Sequence, residues 1–261
     1  MKIENIPAEI KSKSLKEARE EINEILIKLE SNDLDLSTVE KVYKRLNYLN
    51  KHVENLFKIK SKKLSKSWFK YFMIKKKLKK NAEKVDKFLR NFLKNQKRSL
   101  LVAPMKYGVI AGGKKIRSTI IFDIGKLFKV KENKLLHICA AVECIHSYSL
   151  IHDDLPCMDN DSFRRGKLST HKKFGEATAV LAGNSLLTLA FEIISDKKFF
   201  LDNNKKIDLI KNLASSSGHT GVAGGQELDL KYEKKRKSPK QIINMQRKKT
   251  GKLFNFCLQA T

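Results

Sequence analysis

Cysteine, proline and glycine are scarce in this chain of 261 residues, which contains four cysteines, four prolines and twelve glycines. No two cysteines have Cys-x-x-Cys spacing, so neither a structural zinc site nor a disulfide framework is indicated. The low content of proline and glycine also argues against a disordered chain. In addition, 41% of the residues are hydrophobic and can build a core. Runs that alternate β-branched and polar residues between hairpin turns are missing as well. The sequence therefore predicts an all-α fold, helical throughout.

Long apolar segments are also missing from the sequence. The N-terminus, MKIENIPAEIK (1–11), has no apolar signal region, and no apolar run is judged long enough to cross a membrane. Cys139 and Cys144 lie in apolar helical sequence, where free thiols are ordinary. We therefore expect a protein of the reducing cytoplasm without a membrane span.

Acidic residues are few relative to basic ones. Fifty-five lysines and arginines against 28 aspartates and glutamates give a formal charge of +27, a balance that often accompanies nucleic acid or an anionic surface. Lysines also fill solvated helix faces without any partner, and aromatic residues that could stack on bases make up only 8% of the chain. We favour the second explanation and expect no direct contact with nucleic acid.

Residues 14–57 have the pattern of a two-helix hairpin. Capping boxes at SLKE (14–17) and STVE (37–40) each precede an amphipathic stripe, and SNDLD (31–35) supplies a turn. Two helices alone cannot cover both stripes, so the hairpin is expected to dimerise or to dock on a partner. A generic amphipathic hairpin explains the same pattern.

The segment SLKEAREEINEILIKLESNDLDLSTVEKVYKRL (14–46), with its LES-D-L turn, resembles the small subunit of exodeoxyribonuclease VII, and the similarity extends over residues 8–65. In that family the small subunit carries no catalytic residue and binds the large nuclease subunit. The resemblance implies a first domain at residues 1–67 with that large subunit as its partner. The alternative function for the chain is then a nuclease accessory subunit with a passenger second half.

Residues 68–84 are predicted to be a basic linker. They end a lysine-rich stretch, KIKSKKLSKSWFKYFMIKKKLKKNAEK (58–84), that aromatic residues interrupt. Such a stretch is compatible with single-stranded nucleic acid or a membrane surface. It is equally compatible with a solvated linker that has a small hydrophobic anchor, which we favour. Met73 would also start a separate protein, so the two halves are either one chain or two neighbouring genes joined in frame.

The strongest chemical signal is LIHDDLPCMDNDSFRRG (150–166). Clustered carboxylates repel one another, and neither folding nor solubility requires them, so we expect a multivalent cation at Asp153, Asp154 and Asp159. Carboxylate oxygens and an open coordination sphere suit Mg²⁺ better than Zn²⁺, and Mn²⁺ is a substitute. Pro156 must kink or end the helix, and the kink could return Asp159 to the cation.

Paired arginines follow these acids directly. Arg164 and Arg165 would grip a diphosphate through fork-shaped hydrogen bonding, so one ligand could bring the cation to the acids and phosphates to the arginines. The structural alternative is a polar loop with internal salt bridges.

Three further polar clusters surround this motif in the sequence. In YGVIAGGKKIRS (107–118), Lys114 and Arg117 are three apart beside a predicted helix N-terminus, which suits a phosphate, although a Gly-Gly turn alone is common. His146 lies on nearly the same helix face as Asp153. The other two clusters are GGQELDL (224–230), which contains Gln226, and RKKTGKL (247–253), which contains Lys249 and Thr250.

Taken in order, GGKKIR, YSLIHDDLPCMDNDSFRRG, LAGN, GGQELDL and KTG resemble the trans-isoprenyl diphosphate synthases, in particular the bacterial short-chain group that includes farnesyl diphosphate synthase. The resemblance runs from about residue 85 to residue 261. It implies a second domain, 85–261, that is an incomplete all-α bundle around a central cavity and forms a homodimer. It also implies Mg²⁺-dependent condensation of an allylic diphosphate with isopentenyl diphosphate.

The resemblance assigns roles to individual residues. It implies magnesium binding by Asp153 and Asp159, with Asp154 in support. The residues that it implies in catalysis are Asp153, Asp154, Asp159, Arg164, Lys249 and Thr250. Those implied in substrate binding are Lys114, Arg117, His146, Arg164, Arg165, Gln226 and Lys249. Tyr148 and Ser149, beneath the aspartates, favour a short product, farnesyl first and geranylgeranyl next.

The sequence departs from the family pattern in several places. Lys115, Ser118 and Asn184 stand where the family more often has Arg, Pro and Asp. More seriously, the family's second aspartate-rich motif does not occur within residues 1–261. We therefore expect the 261-residue chain to be a fragment of a longer protein and to have little enzymatic activity alone.

Overall fold

The computed structural model describes residues 6–30, 36–94, 96, 99–110, 112–233 and 236–261. Helices form nearly all of the regular structure in these residues, so the predicted all-α class is confirmed. The twelve described α-helices are α1 (Ala8–Lys11), α2 (Leu15–Glu30), α3 (Leu36–Lys94), α4 (Val102–Ile110), α5 (Ile116–Leu127), α6 (Glu132–Asp153), α7 (Thr170–Phe174), α8 (Glu176–Ser195), α9 (Asn203–Ser217), α10 (Val222–Tyr232), α11 (Pro239–Gln246) and α12 (Lys252–Gln259). A π-helical turn, Arg247–Gly251, joins α11 to α12.

The chain divides into two compact units, Met1–Ile74 and Lys75–Thr261. The division falls inside α3, and the whole of residues 68–84 is helical. The stretch predicted to be a linker is therefore part of a long helix. The predicted domain limits at residues 67 and 85 coincide with no end of a helix.

In the first unit, the sequence between α1 and α2 folds as its capping box predicts. The backbone N–H of Ser14 donates to the Glu17 carboxylate (2.6 Å), and the backbone N–H of Glu17 donates to Ser14 Oγ (3.3 Å). The predicted turn at 31–35 lies outside the described residues. Helix α3 begins at Leu36, so Ser37 lies within its first turn, and the capping box predicted at residues 37–40 stays a prediction.

In the second unit, α6 is the central helix and packs most extensively against α8. Small residues allow the close approach: a Cβ atom at Gly183 of α8 would lie only 2.1 Å from Nε2 of His152 on α6. His152 Nε2 also lies 3.1 Å from the carbonyl oxygen of Val180. This packing fixes the C-terminal end of α6, where Asp153 is the last helical residue.

Two helices of the described residues, α6 with 22 residues and α8 with 20, are long and apolar enough to cross a membrane. The expectation that no segment reaches this length was wrong. Alanine in both helices, with cysteine in α6, raises their apolar character without forming an obvious leucine-rich run. Helices in the core of a folded protein have the same composition, and most of α6 is buried.

A short β-hairpin corrects the prediction of a chain that is helical throughout. Strand β1 (Phe163–Arg164) pairs antiparallel with β2 (Lys167–Leu168). The two turn residues, Arg165 and Gly166, have φ of 54° and 75°. Positive φ at both central positions gives the turn type that best matches the twist of two paired strands. The hairpin therefore presents Arg164 and Arg165 from a defined backbone.

Candidate active site

The first part of the site is the chain reversal after α6. The helix ends at Asp153, and Pro156 cannot donate a backbone hydrogen bond to extend it. The backbone N–H of Asp159 instead donates to the carbonyl oxygen of Asp153 (2.9 Å), and that of Asn160 donates to Leu155 (3.1 Å). The chain thus brings Asp159 back to Asp153, as the position of the proline predicts.

Arg164 holds the remaining acids of the motif. Its Nε donates to Asp154 Oδ1 (2.8 Å), and its Nη2 donates to the same oxygen and to Asp161 Oδ2 (2.9 Å). Burial raises the pKa of Asp154, and the Arg164 hydrogen bond opposes that rise. Since Nη1 of Arg164 makes no hydrogen bond among the described residues, its two N–H groups are left for a ligand.

Asp153 has the opposite environment. Its side chain is buried without a hydrogen-bonded cation, and burial raises its pKa to about 6, with Lys249 opposing the rise and Asp159 adding to it. A buried carboxylate that resists ionisation is stabilised by a bound cation. Among the described residues, no three acidic, histidine or cysteine side chains converge closely enough to hold a metal alone.

The donor set nevertheless fits Mg²⁺. Asp153 and Asp159 supply hard carboxylate oxygens, and Mg²⁺ is commonly held by one or two carboxylates while waters and substrate phosphates complete its octahedron. Asp154 is occupied by Arg164, which suits a supporting rather than a direct role. Asp153 and Asp159 are therefore the residues that would hold the ion.

The cationic part of the site lies around His146. Burial and the neighbouring Arg117, Arg165 and Lys115 lower the pKa of His146 to about 3, so the imidazole is neutral at physiological pH. Arg165 is fixed against the Gly-Gly turn, because its Nη1 donates to the Gly112 carbonyl oxygen (2.7 Å). The turn of the GGKKIR motif and the hairpin of the RRG motif therefore meet beside His146.

Arg117 faces this region with unused hydrogen-bonding capacity. Its Nε is buried and has no partner among the described residues, and its guanidinium lies 4.6 Å from the centre of the Phe254 ring. Burial lowers its pKa, and the nearby Glu143 carboxylate opposes that change. A buried donor without a partner costs free energy, so an anion at Arg117 would be stabilised.

Lys115 was not predicted as a site residue, yet it organises this region. Its φ is 41°, and its buried ammonium donates to the Val109 carbonyl oxygen (3.0 Å). The same ammonium lies 3.1 Å from Asp86 Oδ1 and 4.0 Å from Glu143 Oε2. Lys115 thus connects α3, α4 and α6 directly before α5 begins, whereas the predicted ligand residue Lys114 is exposed. A glutamate inside the apolar α6 sequence was the signal for such a partner.

The GGQELDL cluster (224–230) lies on α10 and the RKKTGKL cluster (247–253) begins in the π-helical turn. Hydrogen bonds connect α10 both to the aspartate-rich motif and to this turn. Gln226 Nε2 donates to Asp159 Oδ1 (3.3 Å), while its own Oε1 is buried without a partner among the described residues. Lys249 Nζ donates to Asp229 Oδ2 (2.5 Å). A Cβ atom at Gly225 would lie 2.1 Å from the backbone nitrogen of Lys249, so only glycine allows this approach.

The residues predicted for the site are thus only partly brought together. Thr250 lies in the π-helical turn and is exposed, as Lys114 is. Their predicted roles stay predictions. π-Helical turns are frequent at functional sites, but nothing in the KTG sequence indicated one.

Replacing His146 by Gln should flatten the pH dependence of stability. The folded pKa is about 3 against an ordinary value of 6.5, so the unfolded chain takes up a proton first as the pH falls. The contribution of His146 is complete above pH 6.5 and is lost towards pH 3. Between pH 7 and 5, the parent chain should lose up to about 2 kcal/mol more than His146→Gln. Urea denaturation at several pH values measures this difference, and parallel profiles would contradict the assignment.

Fold and site together define a class of helical protein in which carboxylates at the end of a central helix lie close to a group of arginines. A family profile described as polyprenyl synthetase matches residues 98–261, more than half of the chain. The chain belongs to the polyprenyl synthetase family. The resemblance stated for the second half of the sequence is confirmed. The profile begins after residue 97, so the resemblance of residues 8–65 to the exodeoxyribonuclease subunit remains a prediction.

Individual relatives agree with this membership. The farnesyl diphosphate synthase of Buchnera aphidicola subsp. Acyrthosiphon pisum is 52% identical over 158 residues, which cover 59% of this chain and 56% of the relative. The farnesyl diphosphate synthase of Escherichia coli is 48% identical over 155 residues, which cover 59% of this chain and 52% of that relative. The apo structure of a FPP/GFPP synthase from Zymomonas mobilis superposes with a TM-score of 0.69 at 41% identity, covering 72% of this chain and 69% of that one. The chain spans about half the length of the curated relatives it matches.

Proposed function

We propose that this site serves the condensation of an allylic diphosphate with isopentenyl diphosphate into a short trans-isoprenyl diphosphate, farnesyl first and geranylgeranyl as the alternative. The observation that carries the proposal is the buried Arg117 Nε without a partner, beside a neutral His146 and the hairpin of Arg165. Two phosphates supply the acceptors that these donors lack. The nearby Asp153 and Asp159 supply the cation site that a diphosphate also needs.

The main chemical requirement of the reaction is stabilisation of the diphosphate leaving group. The C–O bond of the allylic diphosphate breaks and diphosphate leaves with the electron pair. The double bond of isopentenyl diphosphate supplies the electrons of the new C–C bond, and a proton is lost from the neighbouring carbon. Preorganised cations aimed at the departing diphosphate stabilise its developing charge. Mg²⁺ bound at Asp153 and Asp159 would add Lewis-acid neutralisation of the same charge, with Mn²⁺ as a substitute.

The protein residues have separate tasks in this scheme. Arg164 is oriented by Asp154 and Asp161 and directs Nη1 to the allylic diphosphate. Arg117, Arg165 and the neutral His146 hold isopentenyl diphosphate. No side-chain nucleophile is required. A carbocation is captured by water, so the apolar residues of α6 below Asp153 must keep water out.

Product length is assigned to residues on α6. Tyr148 is buried, and its hydroxyl donates to the Ser217 carbonyl oxygen (3.1 Å), which fixes the ring between α6 and α9. Ser149 Oγ donates to the His146 carbonyl oxygen (3.0 Å). A fixed aromatic ring next to a small residue, one turn below Asp153, supports a short product.

The Arg117→Gln variant tests the isopentenyl diphosphate site. Removing a charge-assisted contact to phosphate should weaken isopentenyl diphosphate binding about 10- to 100-fold. Isothermal titration of the 261-residue polypeptide with Mg²⁺ present measures this change. The matched control is Lys126→Gln, an exposed cation on the same helix, which should change the affinity less than about twofold. Equal affinities for the parent and Arg117→Gln would refute the assignment.

Turnover is a separate expectation. Residues 1–261 contain one aspartate-rich motif of this kind, whereas the family resemblance implies two. We propose that the 261-residue polypeptide binds the diphosphates but condenses them far more slowly than members with both motifs. A product assay with labelled isopentenyl diphosphate checks this, and turnover at ordinary family rates would contradict it.

Exposed apolar residues and buried thiols bear on the oligomeric state and the cellular location of the protein. Val180 and Leu181 are apolar residues exposed on α8, and we infer that a second copy of the chain covers them in a homodimer. Cys139, Cys144 and Cys257 are buried free thiols, which fits a reducing cytoplasm.

A further inference from the structure

A second cation-rich cavity lies outside the candidate active site. It has a volume of about 370 Å³ and lies where α3, α4, the β-hairpin and α7 meet. Its charged lining residues are Arg90, Lys106, Lys167 and Lys173. No carboxylate lines it, and none of the four cations forms an ion pair within the part of the chain that the structure describes. Four like charges around one concavity repel one another, and a bound anion would relieve that repulsion.

Aromatic rings form the apolar wall of this cavity. Tyr107 and Phe174 meet edge to face, with ring centres 5.4 Å apart. The ammonium of Lys173 lies 4.1 Å from the centre of the Tyr107 ring and 5.4 Å from that of Phe174. Ile110 adds an aliphatic contact. The cavity therefore combines positive charge with an apolar surface, and cation–π contacts hold Lys173 in place.

We propose that this cavity binds an organic phosphate, that is, a phosphate or diphosphate ester whose organic group is apolar or aromatic. The four cations would take the phosphate, and Tyr107, Phe174 and Ile110 would take the organic group. Arg117, His146 and Asp153 do not line the cavity, so this site is separate from the candidate active site and does not depend on the proposed function.

The β-hairpin connects the two sites. Lys167 of the cavity is the register partner of Arg164, and Tyr107 donates its hydroxyl to the Leu168 carbonyl oxygen (2.7 Å). A ligand that contacts Lys167 and Tyr107 therefore contacts the element that also presents Arg165. Occupation of the cavity should change diphosphate affinity at the active site, and by linkage the diphosphate should change affinity at the cavity by the same factor.

The test is titration of the 261-residue chain with phenyl phosphate and with inorganic phosphate, followed by calorimetry and by NMR shifts of Lys173 and Phe174. Phenyl phosphate should bind at least about fivefold more tightly than inorganic phosphate, because only the ester reaches the rings. Lys173→Met should weaken phenyl phosphate binding about five- to tenfold. Lys172→Met is the matched control: this exposed neighbour does not line the cavity, and its loss should cost less than about twofold.

Two further variants separate ring contact from folding. Tyr107→Leu should abolish the preference for phenyl phosphate, whereas Tyr107→Phe keeps the ring and should retain it. Arg117→Gln removes an active-site cation and should leave phenyl phosphate binding intact, so failure at one site is distinguishable from failure at the other. Adenosine monophosphate and dimethylallyl monophosphate then distinguish an aromatic from an aliphatic organic group. Equal losses in Lys172→Met and Lys173→Met, or equal affinities for phenyl and inorganic phosphate, would overturn the proposal.

Discussion

Replacing Asp153 by Asn is expected to weaken Mg²⁺-dependent binding of an allylic diphosphate by more than about 100-fold, because even the outer partners of metal ligands are worth 10- to 100-fold. The amide cannot supply the negative charge that a hard cation needs. Calorimetry with dimethylallyl diphosphate at saturating Mg²⁺ measures the loss, and Mn²⁺ binding followed by electron paramagnetic resonance gives a direct readout of the ion.

The same substitution should make the fold more stable. Burial raises the pKa of Asp153 from its ordinary 3.8 to about 6, so ionising the carboxyl group at pH 7 opposes folding. Asp153→Asn should therefore raise the free energy of unfolding by about 2–3 kcal/mol at pH 7 in the absence of metal. This advantage should shrink as the pH falls from 6 towards 4, because the parent side chain is then protonated in the fold.

A neighbouring acid provides the control for Asp153. Asp161 is half exposed and pairs with Arg164, which Asp154 still holds through two hydrogen bonds when Asp161 is replaced. Asp161→Asn should therefore change diphosphate affinity less than about fivefold. A protein that loses ligand binding while gaining stability has lost a functional group, not its fold. Normal metal-dependent binding by Asp153→Asn, or an equal loss in Asp161→Asn, would sink the metal assignment.

Replacing Lys115 by Met is expected to lower the free energy of unfolding of the second unit by about 3–5 kcal/mol, the usual result of removing one partner from a buried ion pair. Glu143 is buried and would keep only the hydroxyl of Ser118 (2.7 Å) as its hydrogen-bond donor. The Val109 carbonyl oxygen would lose the donor that closes the end of α4. Hydrogen exchange of the α4–α6 amides localises the effect to this unit.

Two variants distinguish lost charge from a lost side chain at Lys115. Lys115→Arg retains the cation and should recover most of the stability. Lys114→Met removes the exposed neighbour, so stability should stay within about 0.5 kcal/mol of the parent value, while affinity for isopentenyl diphosphate should fall. The two adjacent lysines would thereby separate into one that supports the fold and one that binds ligand. A Lys115→Met protein as stable as the parent would refute this division.

Local features of the site were predictable from sequence. Pro156 and the spacing of Asp153 and Asp159 imply a chain reversal within a few residues, and the hydrogen bond between their backbones has that form. The all-α class followed from helical periodicity. The proximity of His146 to the helix end followed in the same way, because a helix fixes the spacing of its own residues.

Features that depend on distant partners were not predictable in this way. Lys115 and Lys114 are adjacent and chemically identical, and only Asp86 and Glu143 on other helices decide which one is buried. The β-hairpin was missed because its strands are two residues long and leave no periodicity. The sequence left open whether Arg164 binds a ligand or forms salt bridges within the loop, and the structure shows that it pairs with Asp154 and Asp161.

The π-helical turn at Arg247–Gly251 makes this segment sensitive to the deletion of a single residue. A π turn contains one residue more than an α-helical path, and each residue rotates a helix by about 100°. Loss of one residue such as Lys248 would therefore leave a regular helix, but the segments before and after the deletion would be rotated relative to each other about the helix axis. Either Lys249 would leave Asp229, or Leu253 and Phe256 would leave the core. A single-codon deletion in this turn would therefore damage either the site or the core, whichever side chain it removed.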